Sequence, residues 1–185
     1  MTAGEQGLTG LVADCVEAMR DSDPRGAARE VLDRAVTDGS LRGGVESAAG
    51  LNILYRSSDL TVLNVIWPPN MFLMPHDHRM WAARGIYGGR EDNTFYRRSG
   101  DALVTSGGKE LTDGTVLLLG QEVIHAVHNP SHSTYTGAIH VYGGDVVGTP
   151  RSQWDPTTLE EQPYDLDAVQ RQFDQAERAA RAGRD

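Results

Sequence analysis

Lysine is almost absent from this chain: Lys109 stands alone, and the other basic residues are arginines. With 26 acidic against 17 basic side chains, the formal net charge is −9. An acidic chain without a basic stripe is a poor counter-ion for phosphates, which argues against nucleic acid or an anionic membrane surface as partner. Cysteine is just as scarce. Cys15 is the only one, so no internal disulfide can form, in keeping with a reducing cytoplasm. No apolar run approaches the roughly 18–20 residues that cross a bilayer. The N-terminus also lacks the basic-then-apolar order of a signal peptide. At 185 residues, 39% of them hydrophobic, the chain is expected to fold as one domain around a real core.

Histidine is missing from long stretches. All six histidines lie between His76 and His140, and the first 75 residues and the last 45 have none. The flanks of that region read as helices. Leu8, Leu11, Val12, Cys15, Val16 and Met19 recur at three- and four-residue spacing, which makes one apolar helix face and casts Cys15 as a packed core thiol. Asp21-Ser22-Asp23-Pro24 interrupts the pattern and supplies an N-cap and a first-turn proline. A second helix follows, with Ala27, Val31, Leu32 and Ala35 inward, and ends near Gly39. Close to the other terminus, Leu166 to Ala182 reads as a charge-rich helix anchored by Val169 and Phe173, with Glu177 to Asp185 expected to fray.

Between the helices, short β runs alternate with turn residues. Leu51–Arg56, Leu60–Trp67, Met71–His78 and Trp81–Tyr87 come first, with Gly88-Gly89 read as a hairpin turn. Thr94–Arg98 follows, then a turn at Ser99-Gly100-Asp101. Ala102–Thr105, Lys109–Leu111, Thr115–Leu119, Ile124–Val127 and Tyr135–Tyr142 complete the series. About ten evenly spaced strands predict a closed or double-sheet β-architecture. After Gly143-Gly144, prolines 150, 156 and 163 discourage regular structure.

Met74-Pro75-His76-Asp77-His78 is the stretch with chemistry in it. Residues two apart on a strand share a face, so His76 and His78 can ligate one metal ion. His125 and His140 recur on later predicted strands, as a site built by chain return requires. Asp77 points away from that face and reads as structural. His128 and His132 are expected at the surface, and Trp67 and Trp81 in core or pocket wall.

Residues of roughly 50–155 resemble the cupin superfamily and, within it, the thiol dioxygenases: cysteine dioxygenase and, more closely, bacterial 3-mercaptopropionate dioxygenase. His76-Asp77-His78 is similar to the first cupin motif. Most cupins add a glutamate ligand about four residues on, where this chain has Arg79-Met80-Trp81-Ala82-Ala83, so the resemblance implies a three-histidine site. Gly120 to Asn129 is similar to the second motif and nominates His125 as third ligand beside His76 and His78. Ala138-Ile139-His140-Val141-Tyr142 matches the family's Ser-x-His-x-Tyr, with Ala138 in the serine's place. This implies a hydrogen-bonded His140 and a Tyr142 hydroxyl facing substrate.

The same resemblance implies an all-β core, a cupin double-stranded β-helix (jelly-roll barrel), with N-terminal helices and a C-terminal helix. The helical segment would span 1–45, the barrel with its metal site 46–155, and the C-terminal loop and helix 156–185. It further implies Fe(II) as cofactor, O2 as co-substrate and a small thiol carboxylate as substrate. Arginine's planar fork suits a carboxylate. Arg151 and Arg56 match family anchor positions, and Arg84, on the motif strand, fits neither pattern but would alter the pocket's charge if it faced inward. Two other functions stay open: a metal-dependent cupin acting on a non-thiol small acid, which Ala138 and Arg84 favour, and a non-catalytic small-molecule-binding cupin. Pairing into a homodimer is compatible with the apolar N-terminal helices.

Overall fold

The protein is described by a computed structural model that covers residues 3–39, 41, 48–100 and 102–183. Asp101 of the expected Ser99-Gly100-Asp101 turn, residues 1–2, 40 and 42–45 of the expected helical segment, 46–47 of the expected barrel and 184–185 of the expected frayed end lie outside these described residues. Two helices open the chain, α1 (Ala3–Ala18) and α2 (Pro24–Thr37). Asp23 caps α2 by accepting a hydrogen bond from the Gly26 N–H at 3.1 Å, with Pro24 in the first turn where its missing N–H costs nothing. Ala28, Val31, Leu32, Ala35 and Val36 are buried; Ala27, expected inward, is half-buried, and Ala28 takes its place.

Eleven strands follow: β1 (Gly50–Arg56), β2 (Thr61–Trp67), β3 (Phe72–His76), β4 (Ala82–Gly88), β5 (Arg90–Ser99), β6 (Ala102–Thr112), β7 (Val116–Leu119), β8 (Ile124–His128), β9 (Thr136–Tyr142), β10 (Ser152–Trp154) and β11 (Glu161–Pro163). They form two antiparallel sheets, ordered β1-β2-β9-β4-β7 and β11-β10-β3-β8-β5-β6. Removing the additions at the edges leaves two four-stranded sheets, β2-β9-β4-β7 facing β3-β8-β5-β6. Two interlocked Greek keys give that order, so the fold is a jelly-roll double-stranded β-helix.

Alternation sorts each strand's residues between two cores. Val62, Ile66, Ala83, Tyr87, Ile139 and Val141 leave the outer face of the first sheet and pack under α1 and α2, together with Leu11 and Leu32. Gly85 permits this, since a Cβ there would come within 2.8 Å of Val36 Cγ1. Residues of opposite parity, Leu63, Val65, Trp67, Ala82 and Tyr142, turn into the barrel. There they meet Leu73, Val127 and the helix α3 (Leu166–Ala182), whose Phe173 ring lies 5.1 Å from Trp67.

Four expectations change. Gly88-Gly89 is not a hairpin, because β4 and β5 belong to different sheets. The chain crosses between sheets there, with Gly89 at φ +83° and no room for a Cβ beside the Thr136 backbone. The two short runs at 102–105 and 109–111 are one long β6, which pairs along β5 through an irregularity at Phe95/Tyr96 opposite Gly107. The proline-bearing stretch after residue 150 contains β10 and β11; Pro163 is tolerated because β11 is a sheet edge. Residues 177–182 are helical rather than frayed, closed by the Gly183 N–H donating to Ala179 O at 3.1 Å.

Cys15 is fully buried between helices and sheet, and burial, with Asp14 adding to it, pushes its thiol up to about 12. A thiol held protonated and out of solvent is a poor nucleophile. A maleimide reagent near neutral pH is therefore expected to leave the folded protein unlabelled and to label one site per chain after denaturation. Rapid labelling of the folded protein would contradict the packing of α1.

Among the described residues no helix is long and apolar enough to cross a membrane.

Candidate metal centre

β3 and β8 are neighbours, and their register sets His76 directly opposite His125. β3 stops at His76, so His78 is not on the strand as expected. It lies in the turn beyond, where Arg79 takes a left-handed φ of +59°. The Asp77 side chain fixes that turn, accepting from the Ser152 N–H at 2.8 Å and pairing with Arg79 at 2.7 Å. The result puts His78 beside the other two: ring centroids stand 4.7 Å (His76–His125) and 5.1 Å (both other pairs) apart. One nitrogen from each ring falls within 4.8 Å of the others.

The remaining ring nitrogens orient the set. His76 Nδ1 donates to Met74 O at 3.0 Å, which leaves Nε2 bare. His125 Nδ1 lies 2.8 Å from Asn93 Oδ1, and His125 Nε2 faces His78 Nε2 at 3.4 Å. His78 Nδ1 has no partner among the described residues. Burial above all holds His76 down to about 3 and His78 and His125 well below the ordinary histidine range, with neighbouring positive charges adding to it. Three neutral imidazoles, converging and without a carboxylate among them, form a donor set suited to a first-row divalent ion with further positions open. The residues fit a metal.

Tyr142, His140 and Arg84 come from the facing sheet. Tyr142 sets its ring 5.0 Å from that of His78, and its hydroxyl is 3.0 Å from His140 Nδ1. His140 lies outside the group of three. Ala138 turns inward on the same strand and packs with Ile86 and Leu111. Arg84 is almost wholly enclosed, at 1% exposed. Its Nε donates to His140 Nε2 at 3.2 Å and its Nη1 to Asn93 Oδ1 at 2.9 Å. Its Nη2 stands 2.7 Å from Glu91 Oε1, an ion pair lying off the line of an N–H bond. Glu91 in turn accepts from Asn93 Nδ2 at 3.0 Å. Glu91 and Asn93 escape a reading that starts the strand at Thr94. Their signal was the alternation Glu91, Asn93, Phe95 ahead of it.

A cavity of about 30 Å³ opens in front of the group. His76, His78, His140 and Tyr142 form its polar side, and Leu63, Trp67, Leu73 and Val127 its apolar side. Arg151 and Tyr164 close the rim. The Arg151 guanidinium lies 3.3 Å over the Tyr164 ring and donates to Val146 O and Asp77 O at 3.2 and 3.3 Å. The three predicted anchor arginines therefore fare differently. Arg151 reaches the cavity, Arg84 lines it with its donors given to protein groups, and Arg56 lies outside it, forked onto Asp145 at 2.8 Å. His132 is exposed and His128 half-buried against Phe72. Trp81 packs under the N-terminal helices, away from the cavity.

No known family profile matches the chain. Solved structures similar to it include an RmlC-like cupin family protein with a double-stranded β-helix fold from Methanocaldococcus jannaschii. The identity is 10% and the TM-score 0.45, over 55% of this chain and 85% of that one. A cupin superfamily protein from Desulfitobacterium hafniense DCB-2 shares 14% identity at a TM-score of 0.45, over 58% and 87% of the two chains. Oxalate decarboxylase from Bacillus subtilis shares 13% at 0.40, over 48% of this chain and 22% of its own.

Proposed function

We propose that the protein is a mononuclear iron dioxygenase that converts a small thiol carboxylate into its sulfinate. The observation carrying this reading is the shared cavity: His76 and His78 of the three-histidine group, Tyr142 and one arginine at the rim line the same small space. The reaction adds both atoms of O2 to sulfur, R–SH + O2 giving R–SO2H, and needs no further reductant.

His76, His78 and His125 would hold Fe(II) through Nε2. The bound ion would supply the charge that favours a thiolate and the electrons through which O2 reacts. Arg151 would clamp the carboxylate. Two of its donors already fix the guanidinium plane on backbone carbonyls, and stacking on Tyr164 holds it flat, so little freedom is lost on binding. Tyr142 would hydrogen-bond the oxygen being transferred. Leu63, Leu73 and Val127 would keep water out and strengthen both polar contacts. The narrow cavity favours a substrate of few heavy atoms.

Protein loaded with Fe(II) under anaerobic conditions is expected to consume one O2 per thiol when given short mercaptocarboxylates in an oxygen-electrode cell. Absence of uptake with any of them would refute the thiol reading. Uptake with hydroxy or keto acids instead would favour the non-thiol enzyme that Ala138 suggests. A protein that retains no metal after loading and desalting would point to a non-catalytic binder.

A further inference from the structure

Beside the metal ligands sits a buried ion pair that the proposed chemistry does not use. Arg84 and its partner Glu91 are both sealed from solvent inside the barrel. We infer that Arg84 is a positioning residue: held by Glu91, it dictates the tautomer of His140 and so makes the Tyr142 hydroxyl a hydrogen-bond donor toward the cavity. This rests on the reading that Tyr142 meets substrate or oxygen there.

A guanidinium can only donate. His140 Nε2, 3.2 Å from Arg84 Nε, must then be the bare nitrogen of the ring. Burial first, and the Arg84 charge second, keep His140 neutral, and a neutral imidazole with a bare Nε2 carries its proton on Nδ1. That proton points at the Tyr142 oxygen, 3.0 Å away. The tyrosine's lone pair is engaged by this bond, its own O–H has no other partner among the described residues, and its ring borders the cavity. With the opposite tautomer, two donors would face each other between Arg84 and His140. Tyr142 would then spend its proton on His140 and offer only lone pairs to a ligand.

The arrangement is built into the backbone. Arg84 on β4 and His140 on β9 are register partners. Ala138, two residues before His140 on the same face, has only a methyl group and cannot orient the ring. The same pair also acts on a ligand. Glu91 takes the Asn93 amide N–H, which turns Asn93 Oδ1 toward both Arg84 and His125. His125 Nδ1 stands 2.8 Å from that acceptor and 3.2 Å from Arg84 Nη1, a donor; the shorter contact puts the proton on Nδ1 and leaves Nε2 bare.

The test is direct. In the metal-free, 15N-labelled full chain near neutral pH, long-range 1H–15N correlation spectra distinguish a protonated from a bare ring nitrogen. The His140 signals are assigned by their loss in His140→Gln. Wild type is expected to show protonated Nδ1 and bare Nε2 at His140. The paired variant R84M/E91L, which removes both charges and so keeps the interior neutral, is expected to lose that pattern. A protonated Nε2 in wild type, or an unchanged pattern in R84M/E91L, would overturn the inference. In iron-loaded protein the paired variant should lower kcat about 10- to 100-fold with KM little changed, and an unaltered kcat would likewise overturn it. Loss of all O2 uptake in wild type, with the tautomer as stated, would instead refute the proposed reaction and leave the positioning role in place.

Discussion

Taking the metal-free protein from about pH 7 to about pH 5 is expected to remove most of its stability. Burial, ahead of any charge, holds His76 down to about 3 and keeps His78, His125 and His140 well below the ordinary range. In the unfolded chain each of the four would protonate near about 6.5. Below that pH the unfolded state takes up protons that the folded state refuses, so stability is full above the unfolded value and falls as the pH falls. Four such imidazoles give a slope approaching about 5 kcal/mol per pH unit, against a total of roughly 5–15 kcal/mol for a typical domain. The corresponding drop in Tm is on the order of 10–20 °C per pH unit. The acids with strongly lowered pKa values do not enter this window, since Asp145 and Glu161 titrate at about 2. Thermal melts in chelator across this range check the expectation. A flat Tm between the two ends would mean that the cluster is not enclosed and neutral. A bound divalent ion should restore stability at the acid end until protons outcompete it.

Arg84→Met alone should be among the most damaging single substitutions in the chain. It leaves Glu91, 0% exposed, as an unpaired buried carboxylate. Breaking a buried ion pair from one side costs about 3–5 kcal/mol, whereas replacing both partners with apolar groups is near neutral. R84M/E91L is therefore expected to unfold close to the wild-type urea midpoint and R84M far below it, with a coupling energy to match. Equal midpoints for R84M and wild type would show that the pair is not sealed. The contrast also separates two meanings of loss of activity, because the double variant remains folded while lacking the group that orients His140.

Periodicity carried most of the architecture. The N-cap before α2, the start and anchors of α3 and the positions of β2, β4 and β9 are local signals, and each was legible. Less visible was anything decided by the partner strand. Gly88-Gly89 looks like a hairpin from either side, and only the pairing of β4 with β9 and of β5 with β8 reveals a crossing between sheets. β10 and β11 exist because β3 offers an open edge to Gln153. The histidine group was readable because its histidines are rare and its motifs are contiguous. Glu91 and Asn93 were not, since an acid and an amide on a strand ordinarily face water. They turn inward because Arg84, seven and nine residues away in sequence but across the barrel, needs a counter-charge and an acceptor. Tyr164 had no chemical signal of its own and is found only as the surface on which Arg151 lies flat.

The cavity is assembled from two pieces of chain. Barrel strands and the turn after β3 carry every imidazole, while its cationic rim comes from Arg151 and Tyr164, which lie beyond the last barrel strand and are tied together by the Tyr164 N–H to Arg151 O bond at 2.9 Å. Side-chain changes at these two rim positions would recut what enters the pocket, while the backbone of 152–153 stays tied to the Asp77 turn and to His76. The rim's side chains are thus free to vary where its backbone is not.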